Sequence, residues 1–386
     1  MTMPSTPATR DKEVVALAMA LMERPSVTPN DAGCQALIAQ RLVKAGCSVR
    51  HLPFGAVRNM FAWHGEGAPV LCLAGHTDVV PPGPVERWRT DPFRPTLRDG
   101  RLYGRGAADM KGAVAAMVVA MERLIHACPH HRGTLALLLT SDEEGPATEG
   151  TTMALRALRE EGWAVDYALV GEPSSEERLG DVIKVGRRGS LSAACTIFGK
   201  QGHVAYPQKA DNPIHRALPV LETLAGHDFG DGTSLFAPTS LQLTNITAGV
   251  GADNVIPSTL EFRLNCRYPP ATSALHLQRQ ITAIMERHQL RHDLRWTEGA
   301  HPFLGAQGAL FHALTAAVRA MTGTEPRPST AGGTSDGRFF HAHGAEVAEL
   351  GPRNESSHQI DEWVIPEELE LLAVIYQETC HRLLTA

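Results

Sequence analysis

The sequence predicts an α/β fold into which a smaller α+β domain is inserted. In the first half of the chain, short apolar runs such as residues 70–74 and 134–140 alternate with helical segments. Strands of this kind are typical of a sheet that helices cover on both faces. Near residue 182 the pattern changes, and the predicted elements then follow the order β-α-β-β-α-β. That order is the ferredoxin-like arrangement.

Hydrophobic periodicity predicts the elements of the α/β part. An amphipathic helix at residues 14–22 directs Val14, Leu17, Ala18 and Leu21 inward and ends before Pro25. Strands follow at 70–74, 134–140 and 167–170, and helices at 112–125, 151–161, 309–321 and 367–384. Residues 1–9 are predicted to be a short flexible leader.

The inserted part begins with strands at 183–185 and 191–198, joined at Arg187-Arg188-Gly189. A helix at 212–224, strands at 240–245 and 260–267, a helix at 272–289 and a strand at 292–297 complete it. Residues 260–267 alternate strictly between apolar and polar side chains, as a half-buried strand does. We therefore place the α/β domain at residues 1–181 and 298–386, and the inserted domain at 182–297.

Composition narrows the class of protein. The 386 residues include 36 basic and 42 acidic side chains, so the net charge is −6 with histidine neutral. This balance argues against a nucleic-acid-binding protein that works through a basic surface. The seven cysteines are scattered and include no C-x-x-C pair. A disulfide framework is therefore not expected, and a reducing compartment, the cytoplasm, is predicted.

Membrane insertion and export are not expected. The longest strictly apolar runs, 14–22 and 113–121, have nine residues each, whereas a membrane-spanning helix needs about 20. The first run has the length of a signal-peptide core. However, Asp11 and Glu13 replace the cationic region, and Glu23-Arg24-Pro25 stands where a small-residue cleavage site belongs.

Four polar clusters interrupt the apolar pattern of the α/β part: GHTD (75–78), GRGAADMKG (104–112), SDEEG (141–145) and GEP (171–173). Three of them directly follow predicted strands, and the second opens a predicted helix. Ligands bind at the carboxyl ends of the strands in open α/β sheets. We therefore expect the loops to bring together the side chains of His76, Asp109, Glu143, Glu144 and Glu172.

So many carboxylates in one place indicate a metal site. Like charges repel and raise each other's pKa, and a pair of divalent ions relieves that repulsion. Imidazole and carboxylate ligands suit zinc or a similar ion. When two metals lie about 3.5–4 Å apart, one carboxylate is expected to bridge them. A late histidine is also needed, and His358 in NESSH (354–358) is the best-placed candidate.

Two local spacings suggest further roles. His76 and Asp78 are two residues apart, so on an extended chain the Asp78 carboxylate can accept the second ring proton of His76 and orient it. Glu143 and Glu144 are adjacent, so on an extended chain they point to opposite sides. One of them can then bind metal while the other acts as a general base.

These motifs resemble those of the M20-type dinuclear metallohydrolases. The four clusters fit any member of that family. The segments GRRGS (186–190), GHVAYP (202–207), ADNVIP (252–257), GGTSDGRF (332–339) and NESSH (354–358) are most similar to members that remove succinate from N-succinyl-LL-2,6-diaminopimelate. The resemblance covers nearly the whole chain beyond the leader. It implies a zinc-peptidase-like catalytic domain at 1–181 and 298–386, with an inserted ferredoxin-like lid domain that forms a homodimer.

The resemblance also implies a role for each site residue. His76 and Glu172 bind one metal, Glu144 and His358 bind the other, and Asp109 bridges them. Glu143 is the general base and then the acid, and His203 stabilises the oxyanion in the active site of the partner subunit. A small anionic substrate is held by a larger set: Arg187, Tyr206, Asn254 (from the partner), Arg267, Gly333, Thr334 and Asn354. The implied cofactors are two Zn²⁺ ions, with Co²⁺ as a substitute.

Other functions also fit parts of the sequence. Another M20 deacylase, such as an acetylornithine deacetylase or an aminoacylase, shares the same chemistry. Residues 333–337 match the G-x-S-x-G elbow of serine hydrolases, but Pro326 and Pro328 precede it where that motif requires a strand. A dinucleotide-binding function for Gly104 and Gly106 fails because Asp109 replaces the third glycine.

Two plainer interpretations also stand. Arg187-Arg188-Gly189 has the composition of an ordinary charged hairpin turn. A scaffold protein that retains the fold without activity is a non-enzymatic alternative, and a missing ligand or base would favour it. Some histidines have no expected role and are predicted to lie at the surface: His126, His130, His131, His288 and His292.

Overall fold

The computed structural model describes residues 13–385. The chain divides into two compact units. The large unit contains residues 13–186, 305–329 and 335–385, and the small unit contains residues 187–304 and 330–334. The predicted boundaries, 181/182 and 297/298, lie five and seven residues before the divisions at 186/187 and 304/305, and residues 330–334 were predicted in the α/β domain. The predicted leader lies outside the described residues.

The strands are, in chain order, β1 (Ser48–His51), β2 (Asn59–Glu66), β3 (Val70–His76), β4 (Thr96–Arg98), β5 (Arg101–Tyr103), β6 (Gly133–Thr140), β7 (Tyr167–Val170), β8 (Val182–Lys184), β9 (Gly186–Arg187), β10 (Gly189–Phe198), β11 (Gly202–His203), β12 (Ser240–Ala248), β13 (Val255–Ile256), β14 (Thr259–Tyr268), β15 (His292–Glu298), β16 (Phe303–Leu304), β17 (Arg327–Ser329), β18 (Glu346–Glu349) and β19 (Trp363–Val364).

The α-helices are α1 (Glu13–Met22), α2 (Cys34–Lys44), α3 (Gly112–Ala127), α4 (Thr151–Glu160), α5 (Pro213–Gly226), α6 (Ala274–Arg287), α7 (Ala309–Thr322), α8 (Gly337–Ala342) and α9 (Pro366–Leu384). A distorted turn, Ala107–Lys111, leads into α3. Between residues 13 and 385, no helix combines the length and apolar character that a membrane span requires.

The large unit is built on an eight-stranded mixed sheet with the order β1-β2-β6-β3-β7-β18-β8-β17. The four strands β6, β3, β7 and β18 run parallel to one another. Every residue of β3 and β6 is buried, as expected of central strands that are covered on both faces. Helix α3 is buried on nearly all sides and packs against α1 and α9, which explains why its sequence is apolar all round.

Register brings the ends of three central strands to within two residues of one level. His76, the last residue of β3, pairs with Thr140, the last residue of β6. Ala74 of β3 pairs with Val170, the last residue of β7. The segments that begin at Thr77, Ser141 and Gly171 therefore leave the sheet side by side.

The small unit contains an antiparallel sheet with the order β12-β14-β10-β15. Its apolar core comes from alternate residues of the strands, such as Leu191 and Phe262, together with the inner faces of α5 and α6. Asn212 and Ser273 cap the two helices, accepting main-chain N–H groups of Ile214 and His276. The chain order and strand order agree with the predicted ferredoxin-like arrangement.

One alternative interpretation and one prediction about local structure are wrong. The alternative that Arg187-Arg188-Gly189 is a hairpin turn fails, because β8 pairs with β17 in the large sheet while β10 pairs with β14 and β15. A strand does precede the G-x-S-x-G segment, namely β17, which contains Pro328. Since β17 is the last strand of its sheet, proline is tolerated there.

Candidate metal centre

His76 is held by the loop that follows β3. Its Nδ1 lies 2.8 Å from the main-chain oxygen of Asp78. Because a carbonyl oxygen only accepts, Nδ1 carries the proton and Nε2 is left with a lone pair for a metal. The Asp78 carboxylate lies farther from Nδ1, at 3.6 Å. The prediction that this carboxylate accepts the ring proton is therefore wrong, since the main-chain oxygen of the same residue does so.

The Asp78 carboxylate instead anchors the loop after β6. It accepts the main-chain N–H of Glu144 at 3.1 Å and that of Glu143 at 3.4 Å. Residues 143–146 form a turn and not an extended segment. The extended chain on which the predicted opposite orientations rest is therefore absent. Glu144 groups with His76 and Asp109, and Glu143 groups with His76 and Glu172.

Asp109 lies between the two candidate histidine ligands. Its Oδ1 is 3.1 Å from His76 Nε2, and its Oδ2 is 3.2 Å from His358 Nε2. The turn Ala107–Lys111 makes this possible, since Asp109 departs from helical geometry with φ −125° and ψ 97°. Each carboxylate oxygen of Asp109 thus faces one histidine, which is the arrangement that a bridging ligand requires.

Two further carboxylates complete the cluster. Glu144 Oε1 lies 2.9 Å from His358 Nε2, and Glu172 Oε1 lies 3.7 Å from His76 Nε2. The Glu172 Oε1 atom is buried and has no hydrogen-bond partner within the described chain. A buried acceptor without a donor is unfavourable unless a cation binds it.

The spacing of these atoms fits divalent metal ions. Zn–N and Zn–O distances of about 2.0–2.2 Å place tetrahedral ligands about 3.3–3.6 Å apart. Three of the four separations are shorter than this, at 2.9–3.2 Å, and the fourth is 3.7 Å, so shifts of a few tenths of an ångström would admit the ions. Ligand atoms of His76, Asp109 and Glu144 lie within 4.8 Å of one another, as do those of His76, Glu143 and Glu172. The residues present could therefore hold a metal pair.

Electrostatics show how much the cluster needs a counter-charge. Burial raises the pKa of Glu143 well above its usual range, and Asp336, Glu144 and Asp109 raise it further. Burial and the charges of Asp109 and Glu143 do the same to the pKa of Glu172. Hydrogen bonds to Asp109 and Glu144 raise the pKa of His358 to about 10. A nearby cation would oppose each of these pKa shifts.

Three predicted residues of the small unit lie close together and are exposed. His203 ends β11 and pairs with Val255 of β13, and the main-chain oxygen of Asn254 accepts the N–H of Val204. The Tyr206 ring lies 5.9 Å from the His203 ring. These contacts bring His203, Tyr206 and Asn254 onto one surface, while their roles stay predictions.

A second group in the small unit contains arginines. Arg187 is buried and donates from Nη1 to the main-chain oxygens of Ala331 and Gly333, so it supports the segment that carries Gly333 and Thr334. Arg267 is half-buried and donates from Nε to Asn265. Asn354 belongs to the large unit, where its N–H donates to the main-chain oxygen of Ser175.

Sequence reasoning missed one pair of residues beside the cluster. Glu362 is fully buried and bonds to Arg105, and it also accepts the main-chain N–H of Asp109. Arg105 lies within the GRGAADMKG cluster (104–112), but no role was predicted for it. Glu362 follows Asp361 in a loop segment, and nothing in its spacing distinguishes it from a solvated acidic residue.

The chain belongs to peptidase family M20/M25/M40, whose model matches residues 72–382. The predicted family is therefore confirmed.

Curated relatives are similar over nearly their whole length. The succinyl-diaminopimelate desuccinylase of Xylella fastidiosa (strain M12) is 53% identical over 372 residues, which are 96% of this chain and 99% of the relative. The protein of the same name from Xanthomonas euvesicatoria pv. vesicatoria (strain 85-10) matches with the same identity and coverage.

Solved structures share the fold at low identity. The M20 family metallo-carboxypeptidase Sso-CP2 from Sulfolobus solfataricus matches with a TM-score of 0.83 and 16% identity, over 96% of this chain and 99% of its own. The Bacillus subtilis YXEP protein, described as a dinuclear metal binding peptidase from the M20 family, matches with a TM-score of 0.72 and 17% identity, over 97% and 98%. The predicted fold class is confirmed.

Proposed function

We propose that the protein hydrolyses N-succinyl-LL-2,6-diaminopimelate to succinate and LL-2,6-diaminopimelate, a step in the biosynthesis of lysine and diaminopimelate. The observation that carries this proposal is the 53% identity, over almost the full length of both chains, to relatives named succinyl-diaminopimelate desuccinylase. The cluster of imidazole and carboxylate ligands agrees with hydrolytic chemistry. The cytoplasm is the proposed location, in keeping with seven cysteines that are all free thiols.

Five residues are proposed to hold two metal ions. His76 and Glu172 bind one ion, Glu144 and His358 bind the other, and Asp109 contributes one oxygen to each. The separations of 3.1 and 3.2 Å on the two sides of Asp109 support this division. A pair of Zn²⁺ ions, or Co²⁺ in their place, supplies a Lewis acid for the amide carbonyl and lowers the pKa of water.

Glu143 is the proposed general base and acid. Its carboxylate takes the proton of the attacking water and then delivers it to the nitrogen of the departing amine. Burial raises its pKa, which makes the carboxyl a better proton acceptor than an ordinary glutamate. Asp78 positions Glu143 by accepting its main-chain N–H.

The small unit offers positive charge for an anionic substrate. Burial and the neighbouring Arg188 lower the pKa of Arg267, so two cationic groups lie close together. Arg188 Nε is buried and lacks a hydrogen-bond partner among the described residues. Since a guanidinium group grips a carboxylate through two bonds, Arg187 and Arg267 are proposed to bind substrate carboxylates. Polar groups of Tyr206, Asn254, Gly333, Thr334 and Asn354 are proposed to complete the substrate site.

A homodimer is proposed, with His203 of the partner subunit stabilising the oxyanion. Strand β12 lies at the edge of its sheet and pairs only with β14 within residues 13–385. From Thr244 to Ala248 its side chains are exposed, including 55% of Ile246. A long exposed edge with apolar side chains is a ready surface for pairing with another strand, here that of a second copy.

Removal of metal tests the proposed chemistry. We expect that dialysis against a chelator lowers the rate of succinate release from N-succinyl-LL-2,6-diaminopimelate at least 100-fold, and that about two equivalents of Zn²⁺ or Co²⁺ restore it. Mg²⁺ added in the same amount serves as the control. Full activity in a preparation that contains less than about 0.1 equivalent of metal would contradict the proposal.

A further inference from the structure

A buried carboxylate outside the ligand set lies directly behind the turn that carries Asp109. Glu362 is 0% exposed. Its Oε1 accepts the main-chain N–H groups of Ala108 at 2.8 Å and Asp109 at 3.1 Å, and its Oε2 accepts that of Gly106 at 3.0 Å. Three N–H donors in and beside the turn, those of residues 106, 108 and 109, are thus satisfied by a residue about 250 positions away.

Arg105 connects this carboxylate to two other parts of the centre. Its side chain is 2% exposed, and Nη1 donates to Glu362 Oε2 at 2.6 Å. Its Nη2 lies 3.5 Å from the main-chain oxygen of Pro81, in the segment that follows His76, and 3.5 Å from the main-chain oxygen of His358. The guanidinium group therefore touches the segments that carry both histidine ligands.

The turn and the His358 segment need such support. Asp109 has non-helical φ and ψ, so the N–H groups around it have no regular helical acceptors. His358 has a φ of +63° and a side chain that is half exposed, so packing restrains it little. The hydrogen bonds from the turn to Glu362, and from Arg105 to the main-chain oxygen of His358, can hold Asp109 and His358 in place where side-chain packing does not.

We propose that Arg105 and Glu362 are positioning residues that hold Asp109, His76 and His358 in ligand geometry before any metal binds. The inference rests on the proposed function, because these three residues are taken as metal ligands. If the proposal is correct, replacing either residue weakens metal binding. Loss of a buried ion pair that only stabilises the fold would not do so. Partners that orient metal ligands typically contribute 10–100-fold to metal affinity or activity when they are replaced.

The decisive variant is Glu362→Gln in the full-length, metal-free protein, titrated with Co²⁺ alone. Glutamine has the same shape, and its Oε1 can still accept N–H groups. However, it has no charge, and it presents an NH₂ group to Arg105 in place of an oxygen. We expect a Co²⁺ dissociation constant raised at least about tenfold and an altered visible spectrum of the Co²⁺ protein. Excess Co²⁺ should restore part of the lost turnover.

Asp166→Asn is the matched control. The Asp166 carboxylate accepts the N–H of Val70 at 2.7 Å, at the opposite end of β3. Asparagine replaces this charged acceptor with a neutral one, so the change is expected to lower the melting temperature without changing Co²⁺ affinity or spectrum. If Glu362→Gln also binds Co²⁺ with wild-type affinity and spectrum, the pair has only a structural role and the inference is wrong.

A second variant covers the case in which Glu362→Gln does not fold. Arg105→Lys keeps the positive charge beside Glu362 but removes the fork that reaches Pro81 and His358. It is expected to fold and to weaken Co²⁺ binding by roughly tenfold; wild-type binding would overturn the inference. Failure of the wild-type protein to release succinate, with these Co²⁺ effects intact, would instead overturn only the proposed substrate.

Discussion

Glu143 illustrates how surroundings set the role of a single side chain. It stands next to Glu144 in sequence, and both reach the same cluster. Glu144 Oε1 contacts His358 at 2.9 Å, which suits a ligand. Burial raises the pKa of Glu143 well above its usual range, which suits a group that accepts and returns a proton. Burial raises the pKa of the proposed ligand Glu172 in the same way.

Replacement of Glu143 by alanine should therefore separate catalysis from metal binding. General acid–base catalysis contributes typically about 10²–10⁴-fold, so we expect kcat to fall by at least about 100-fold while metal content stays near that of wild type. Rates of succinate release and metal analysis by mass spectrometry provide the two measurements. A variant that kept a tenth or more of the wild-type rate would show that Glu143 is not the base.

His64 provides a pH-dependent contribution to stability away from the metal centre. Its Nδ1 lies 3.0 Å from His131 Nε2, so His131, predicted to lie at the surface, is half-buried and paired. Burial lowers the pKa of His64 below its ordinary value of 6.5, and the charges of His131 and His130 add to the effect. Below pH 6.5 the unfolded chain therefore binds a proton at this position more readily than the folded chain does.

His64 lowers the stability of the folded state only at acidic pH. Above pH 6.5 His64 is neutral in both states and stability is unaffected, and as pH falls through the lowered folded-state pKa stability is lost. We expect the melting temperature to drop less steeply between pH 7 and pH 5 in His64→Gln than in wild type. His51→Gln, which changes an exposed histidine of the same sheet, should follow the wild-type curve. Parallel curves for wild type and His64→Gln would refute this assignment.

At the scale of elements, the edge strand β12 is the feature with the clearest consequence. Ile246 is 55% exposed on this edge, and charged side chains on edge strands oppose pairing. We expect Ile246→Lys to raise the dimer dissociation constant at least about 30-fold, the effect of a contact worth about 2 kcal/mol. Activity should fall at protein concentrations where the variant is monomeric, since the proposed oxyanion group comes from the partner.

Leu275→Lys is the matched control for the edge-strand prediction. Leu275 is 54% exposed but lies on helix α6, so a lysine there leaves the edge of the sheet unchanged. Light scattering coupled to size exclusion should find a dimer for this variant and for wild type. A dimeric Ile246→Lys variant would show that β12 is not the interface.

Elements with strong local signals could be predicted closely from the sequence. The apolar runs of β3 and β6 and the capped helices α5 and α6 lie within a few residues of their predicted positions. The pairing of strands was harder to predict, because a short apolar run does not indicate which strand it pairs with. Residues 183–185 were therefore predicted to belong to the inserted part, although β8 belongs to the large sheet beside β17 and β18.

At the scale of the whole molecule, the candidate site follows from topology. Parallel strands β3, β6 and β7 end within two residues of one level, so residues directly after them were predictable neighbours. The role of Glu362 could not be predicted in this way. Its contacts with the Asp109 turn join segments about 250 residues apart, and only the folded chain brings them together. The contact of His76 with a main-chain oxygen likewise depends on the exact path of the loop.

The central claim is that the protein acts on a succinylated amine and not on another acylated amino acid. The most direct test compares kcat/KM for N-succinyl-LL-2,6-diaminopimelate with kcat/KM for N-acetylornithine, using the same zinc-loaded preparation. An acetyl group lacks the terminal carboxylate, so a site that binds that carboxylate would leave buried charge unpaired. We expect a preference of at least about 100-fold for the succinyl substrate. Equal or faster hydrolysis of N-acetylornithine would contradict the proposed function.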